Sequence, residues 1–135
     1  MKKFVVILFV LGLVLSCDLG DSKNYVWHIK EVTATAYNSL SYQTSEQPNI
    51  TAFGDTLSPG MKCIAVSRDL LRLGLKHNTL VNIQGFDSVF LVKDKMHSRW
   101  KNRIDIYMGN NVEAARKFGR KKLDIKYRVE VKDSI

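Results

Sequence analysis

Asp94-Lys95-Met96-His97-Ser98-Arg99-Trp100-Lys101-Asn102-Arg103-Ile104-Asp105-Ile106-Tyr107 is the stretch on which the reading of this chain turns. It sets two carboxylates eleven positions apart, with four basic residues and a histidine between them. The second carboxylate opens into Ile104-Asp105-Ile106-Tyr107, whose alternation marks a half-buried strand. Packing gives no reason for an acid at the start of a strand amid cations. Asp94 and Asp105 are therefore the first candidates for chemistry.

Working outward, the same period recurs. Leu123 to Val129 alternates as a closing strand, and Val112 to Phe118 is a short helix capped by Asn110 or Asn111 and stopped by Gly119. Upstream, Val89–Val92 and Val81–Ile83 are strands around a Gly-containing turn. Ser67 caps a helix over Arg68–Arg72 that ends at Leu73-Gly74. Lys62–Val66 and Val32–Tyr37 are further strands, Ile50–Gly54 is extended, and Asn38–Asn49 is a polar loop. Six or seven short strands with two short, isolated helices define a small, mainly β barrel and not a doubly wound sheet.

Met1-Lys2-Lys3 precedes an apolar run from Phe4 to Leu15, too short to span a bilayer comfortably, and Ser16-Cys17 follows. The order resembles a bacterial lipobox. It implies a signal peptide over residues 1–16, acylation of Cys17 and a linker to residue 31. The expected location is the bacterial cell envelope, as a membrane-anchored lipoprotein facing the periplasm. Removing residues 1–16 takes away two lysines, so the 135 residues and formal charge of +8 fall to 119 and +6. That is one domain, and export argues against a nucleic-acid partner despite the charge. An anionic sugar polymer or phospholipid surface is the more natural counter-charge. Cys63, then the sole thiol, reads as a small buried side chain without a disulfide partner. His28, His77 and His97 are scattered, so neither a metal site nor a cofactor is expected.

Several segments share one resemblance. Ala65 to Gly74, Asp94 to Tyr107, Thr35-Ala36-Tyr37, Thr51 to Gly54 and Ala114 to Arg120 resemble, in order, the elements of the three-aspartate (3D) domain family. That family is related to the catalytic barrel of MltA-type membrane-bound lytic transglycosylases. The resemblance implies a six-stranded double-psi β-barrel over residues 32–135. It also implies an enzyme that cleaves peptidoglycan glycan strands without water, leaving 1,6-anhydro-MurNAc ends. In such a reaction one acid protonates the leaving sugar and then takes the proton of the muramyl 6-hydroxyl. The pattern places that role on Asp94, with Asp105 in support. Thr35, Tyr37, Thr51, Lys95, His97 and Arg103 are the expected substrate contacts. Trp100 has two equal readings, a sugar platform or an anchoring aromatic, while Asp69 belongs to the first helical turn. The family's first aspartate falls on Ser67 here, and its Asp-Thr-Gly-Gly becomes Asp94-Lys95-Met96-His97. Those departures support the alternative of a non-catalytic peptidoglycan-binding or envelope-scaffolding lipoprotein.

Overall fold

The computed structural model describes residues 23–39 and 49–132. Its elements, in order, are β1 (Asn24–Tyr37), β2 (Cys63–Val66), α1 (Arg68–Arg72), β3 (Leu80–Ile83), β4 (Val89–Lys95), β5 (Arg103–Tyr107), α2 (Val112–Phe118) and β6 (Lys121–Val131). The strands close into a barrel in the order β1-β5-β2-β4-β3-β6. β1 with β5 and β2 with β4 are parallel, and the remaining neighbours are antiparallel. The chain is a small, mainly β, six-stranded double-psi β-barrel with two short helices.

Alternation builds the barrel. Every second residue points inward: Val32 and Ala34 from β1, Ile64 and Val66 from β2, Val81 and Ile83 from β3, Phe90 and Val92 from β4, Ile104 and Ile106 from β5, and Leu123, Ile125 and Tyr127 from β6. Each large apolar side chain fully buried there contributes about 1.5–3 kcal/mol. Leu70 enters the same core and pins α1, which is too short to persist alone. α1 ends against β6 at Gly74, whose φ is +108° and where a Cβ would stand 2.7 Å from a Val129 methyl. Asn111 caps α2 by accepting the Ala114 N–H, and Gly119 ends it. A second, smaller cluster of Leu57, Cys63 and Tyr107 sits against Tyr37 and Met61.

Three expectations change. Residues 24–31, expected in a linker, belong to β1 and pair with β6 from Asn24↔Val131 onward. Apolar residues on both faces of Tyr25–Ile29 hid the period there. Ile50–Gly54 is not a strand: Ile50 bridges only Thr56, and the Thr51 N–H to Asp55 carbonyl bond closes a turn. Ser67 makes no side-chain cap on α1. The expected signal peptide, Cys17 and most of the linker before β1 lie outside the described residues.

Candidate functional site

Four neighbouring strands bring one residue each into a row on the outer face of the barrel. Thr35 on β1 pairs with Asp105 on β5, Asp105 with Ala65 on β2, and Ala65 with Asp94 on β4. Strands lie about 4.8 Å apart, so the two carboxylates originate roughly 10 Å apart with only a methyl group between them. Asp94 reaches this row through a register shift. Ile64 pairs with Val92, but Ala65 pairs with Asp94, leaving Lys93 as an extra residue. Without it Asp94 would continue the inward period of Phe90 and Val92.

Asp105 accepts a 3.0 Å hydrogen bond from the Thr35 hydroxyl. Burial pushes its carboxyl up to about 6, with Asp94 adding to the rise and the Thr35 bond and the Arg103 charge opposing it. Arg103 donates from Nε and Nη2 to the Thr35 oxygen at 3.3 and 3.2 Å. The Tyr37 hydroxyl is buried without a hydrogen-bond partner. Burial raises its pKa, and Cys63, Asp94, Asp105 and Tyr107 add to the rise, so the phenol stays protonated. Its ring lies 5.4 Å from that of Tyr107, whose hydroxyl bonds Ser39 at 2.9 Å. Asp94 is engaged differently. One of its oxygens, Oδ1, accepts the Ala52 and Lys95 backbone N–H groups, both at 2.8 Å, and so ties the loop before β2 to β4.

The other expected contacts divide. Thr35, Tyr37 and Arg103 join the two aspartates. Thr51 is buried and uses its hydroxyl to accept the Asp55 N–H. Lys95 extends over the Phe53 ring at 5.6 Å, and His97 accepts the Arg99 N–H within its own turn. Trp100 already carries the Arg103 guanidinium 3.9 Å from its ring centre and Arg99 at 4.9 Å. Three hollows of about 280, 180 and 350 Å³ lie elsewhere, and none is lined by Asp94 or Asp105. Among the described residues no group of three or more His, Cys, Asp or Glu could hold a metal ion.

A structural joint beside the row escaped the sequence reading. Ser67, fully buried, accepts the Arg103 N–H at 3.0 Å, and Asp69 accepts the Asn102 N–H at 2.8 Å. Burial alone would raise the Asp69 pKa, but hydrogen bonds from the Ser67 hydroxyl, Asn102 and its own N–H, with the Lys101 charge, hold it below the ordinary carboxylate value. This joint fixes the start of β5 against α1, and so the height of Asp105. A small hydroxyl at Ser67 followed by an acid two positions on was the available signal.

No family model matches the chain, and a comparison with curated proteins finds no sequence relative. Solved structures with a similar backbone include the ligand-free expansin of Clavibacter michiganensis, at 18% identity and TM-score 0.45, covering 80% of this chain and 52% of that one. A point mutant of the same expansin in complex with cellohexaose gives 16% identity, TM-score 0.45 and the same coverage. The chain spans about half the length of these proteins, and likeness at this level says nothing of ligand or activity.

These findings correct the resemblance read from sequence. No family model matches the chain, so the expected kinship with the three-aspartate family and MltA-type lytic transglycosylases is not supported. Peptidoglycan as the partner loses its support with it, while the expected membrane attachment through Cys17 rests on residues outside those described and finds no support in the structure. The enzyme reading falls for a physical reason as well. The residue cast as proton donor, Asp94, holds two backbone N–H groups on one oxygen and acts as a loop anchor. The position of the family's first acid is a sealed serine that joins α1 to β5.

Proposed function

We propose that the protein is a non-catalytic polysaccharide-binding barrel of the bacterial cell envelope, holding its ligand across the outer face of β1, β5, β2 and β4. The observation that carries this reading is the row Thr35–Asp105–Ala65–Asp94, whose two acids are engaged differently. Asp94 holds the neighbouring loop. Asp105 is left to meet ligand, as an acceptor of hydroxyl hydrogen bonds when ionised and as a donor when protonated. The Tyr37 hydroxyl, unpartnered among the described residues, offers another donor beside it. The leader read from residues 4–15 supports a place outside the cytoplasm, which cell fractionation tests.

The protein is incubated with a panel of insoluble and soluble polysaccharides, with cellohexaose and uronic-acid oligosaccharides as short probes. Bound protein is measured by sedimentation and released sugars by mass spectrometry. Retention without released products, weakened in Asp105→Asn, is the expected result. Soluble fragments that accumulate with time and vanish in Asp105→Asn would overturn the non-catalytic reading. Failure of every polymer to retain the protein would overturn the binding reading.

A further inference from the structure

The first half of β1 is an open edge. On one side it pairs with β6 from Asn24 to Ala34, while on the other it meets β5 only from Thr33 onward. Among the described residues, the group reaching this free side is the Asn102 side chain, which donates to the Glu31 carbonyl. The edge sequence Tyr25-Val26-Trp27-His28-Ile29 is rich in strand-forming residues, and Tyr25, Val26, Trp27 and Ile29 are 40, 46, 43 and 71% exposed. Among the described residues its apolar centre, Tyr25–Ile29, lacks the usual protections of an edge, Lys30 following just beyond it. No proline or lysine interrupts it, and its ladder with β6 runs without a register shift.

We propose that this edge pairs with the same edge of a second copy, antiparallel and centred on Trp27, giving a two-fold dimer. The charges select both the partner and the register. In an antiparallel pair centred on Trp27, paired residue numbers sum to 54, so Lys23 stands opposite Glu31 of the second copy, and the pairing occurs twice. Tyr25 then meets Ile29, Val26 meets His28, and Asn24 meets Lys30. A register centred on His28 sets Glu31 against Tyr25 and loses both ion pairs. Lys23 approaches Glu130 of its own chain at 3.6 Å, but both side chains are about half exposed, so that contact is too weak to hold the lysine back. A glycan is the less suitable occupant. Lys126 lies 5.2 Å over the Trp27 ring and Arg128 4.0 Å over the Tyr25 ring, so a cation already occupies one face of each. The dimer carries two copies of the carboxylate row, and on a polymer the second contact becomes intramolecular.

Sedimentation velocity on the full chain, followed against concentration, tests the pairing. A concentration-dependent dimer is expected. Glu31→Lys weakens it about tenfold by turning two attractive cross-strand pairs repulsive, and the double variant K23E/E31K restores it. Opposed residues in an antiparallel pair have Cα atoms about 4.5–5.5 Å apart, within disulfide reach. Trp27→Cys therefore cross-links under oxidation beyond any background of the wild type, while Tyr25→Cys, which does not face itself, does not. Circular dichroism of each variant shows that the barrel persists. A monomer up to the solubility limit overturns the proposal. So does a dimer indifferent to Glu31→Lys that Trp27→Cys does not cross-link. Polysaccharide binding by a monomer that Trp27→Ala abolishes would give the ribbon to glycan, and likewise overturn it.

Discussion

Replacing Asp105 by asparagine should stabilise this protein, and by an amount set by pH. The buried carboxyl titrates at about 6 in the fold, against an ordinary 3.8. The folded chain thus holds that proton more tightly than the unfolded chain. A group with its folded value raised supports folding most at low pH, and that support is lost as pH climbs from the ordinary value through about 6. Above pH 7 the charged carboxylate costs about 3 kcal/mol, from two pKa units at 1.36 kcal/mol each. The cost shrinks as pH falls below the folded value and has largely gone by pH 4. Asparagine cannot ionise, and its carbonyl oxygen still accepts the Thr35 hydroxyl. Thermal unfolding of wild type and Asp105→Asn from pH 4 to 8 checks the effect. For a domain of this size the melting temperatures should nearly coincide at pH 4 and separate by about 10 °C at pH 8, the variant above. A separation independent of pH, or a variant that melts lower at pH 8, would refute the reasoning. Greater stability with weaker glycan retention in one substitution is the pattern of a side chain kept for binding.

Three further outcomes follow from neighbouring geometry. Asp94→Ala removes the acceptor shared by Ala52 and Lys95, so hydrogen exchange should quicken at Ala52 while core amides of β5 and β6 are little changed. Gly74→Ala should cost at least 1–2 kcal/mol, about the penalty of left-handed backbone, because Val129 must also move; denaturant unfolding measures it. Burial pushes the Cys63 thiol up to about 11, Asp94 and Asp55 adding to the rise and Lys93 opposing it, so alkylation at pH 8 should proceed only after unfolding.

The barrel was readable because its strands keep a clean period of two wherever one face is buried. Leu123 to Val129 and Ile104 to Met108 are such cases, and Asn111 and Gly119 bounded α2 by local chemistry alone. Reading failed where the period is absent or misleading. The free half of β1 is exposed on both faces, so nothing in its pattern separates it from a linker. Thr51 to Gly54 looks extended because Thr and Phe favour strands, yet Asp55 closes it into a turn through the Thr51 backbone and hydroxyl. The site was half legible. Thr35, Tyr37 and Arg103 were placed with Asp105, but the Ser67–Asp69–Asn102 joint depends on contacts between residues more than thirty positions apart. No periodicity reports such contacts.

The two aspartates show why a charged motif misleads about chemistry. Their separation along the chain says nothing about their relation in space, which is decided by two strands and one extra residue. Lys93, inserted where β4 passes Ala65, turns Asp94 outward onto the row that Asp105 occupies. The same turn brings it under the Ala52 N–H, which captures it. Among the described residues Asp105 has no backbone donor and the Thr35 hydroxyl alone holds it, and burial is the largest influence on its titration. Two acids in one sequence motif thus meet opposite environments, one held by backbone N–H groups of a loop and the other buried against a threonine hydroxyl. The Ser67 joint, by setting the start of β5 against α1, fixes where Asp105 sits in the row.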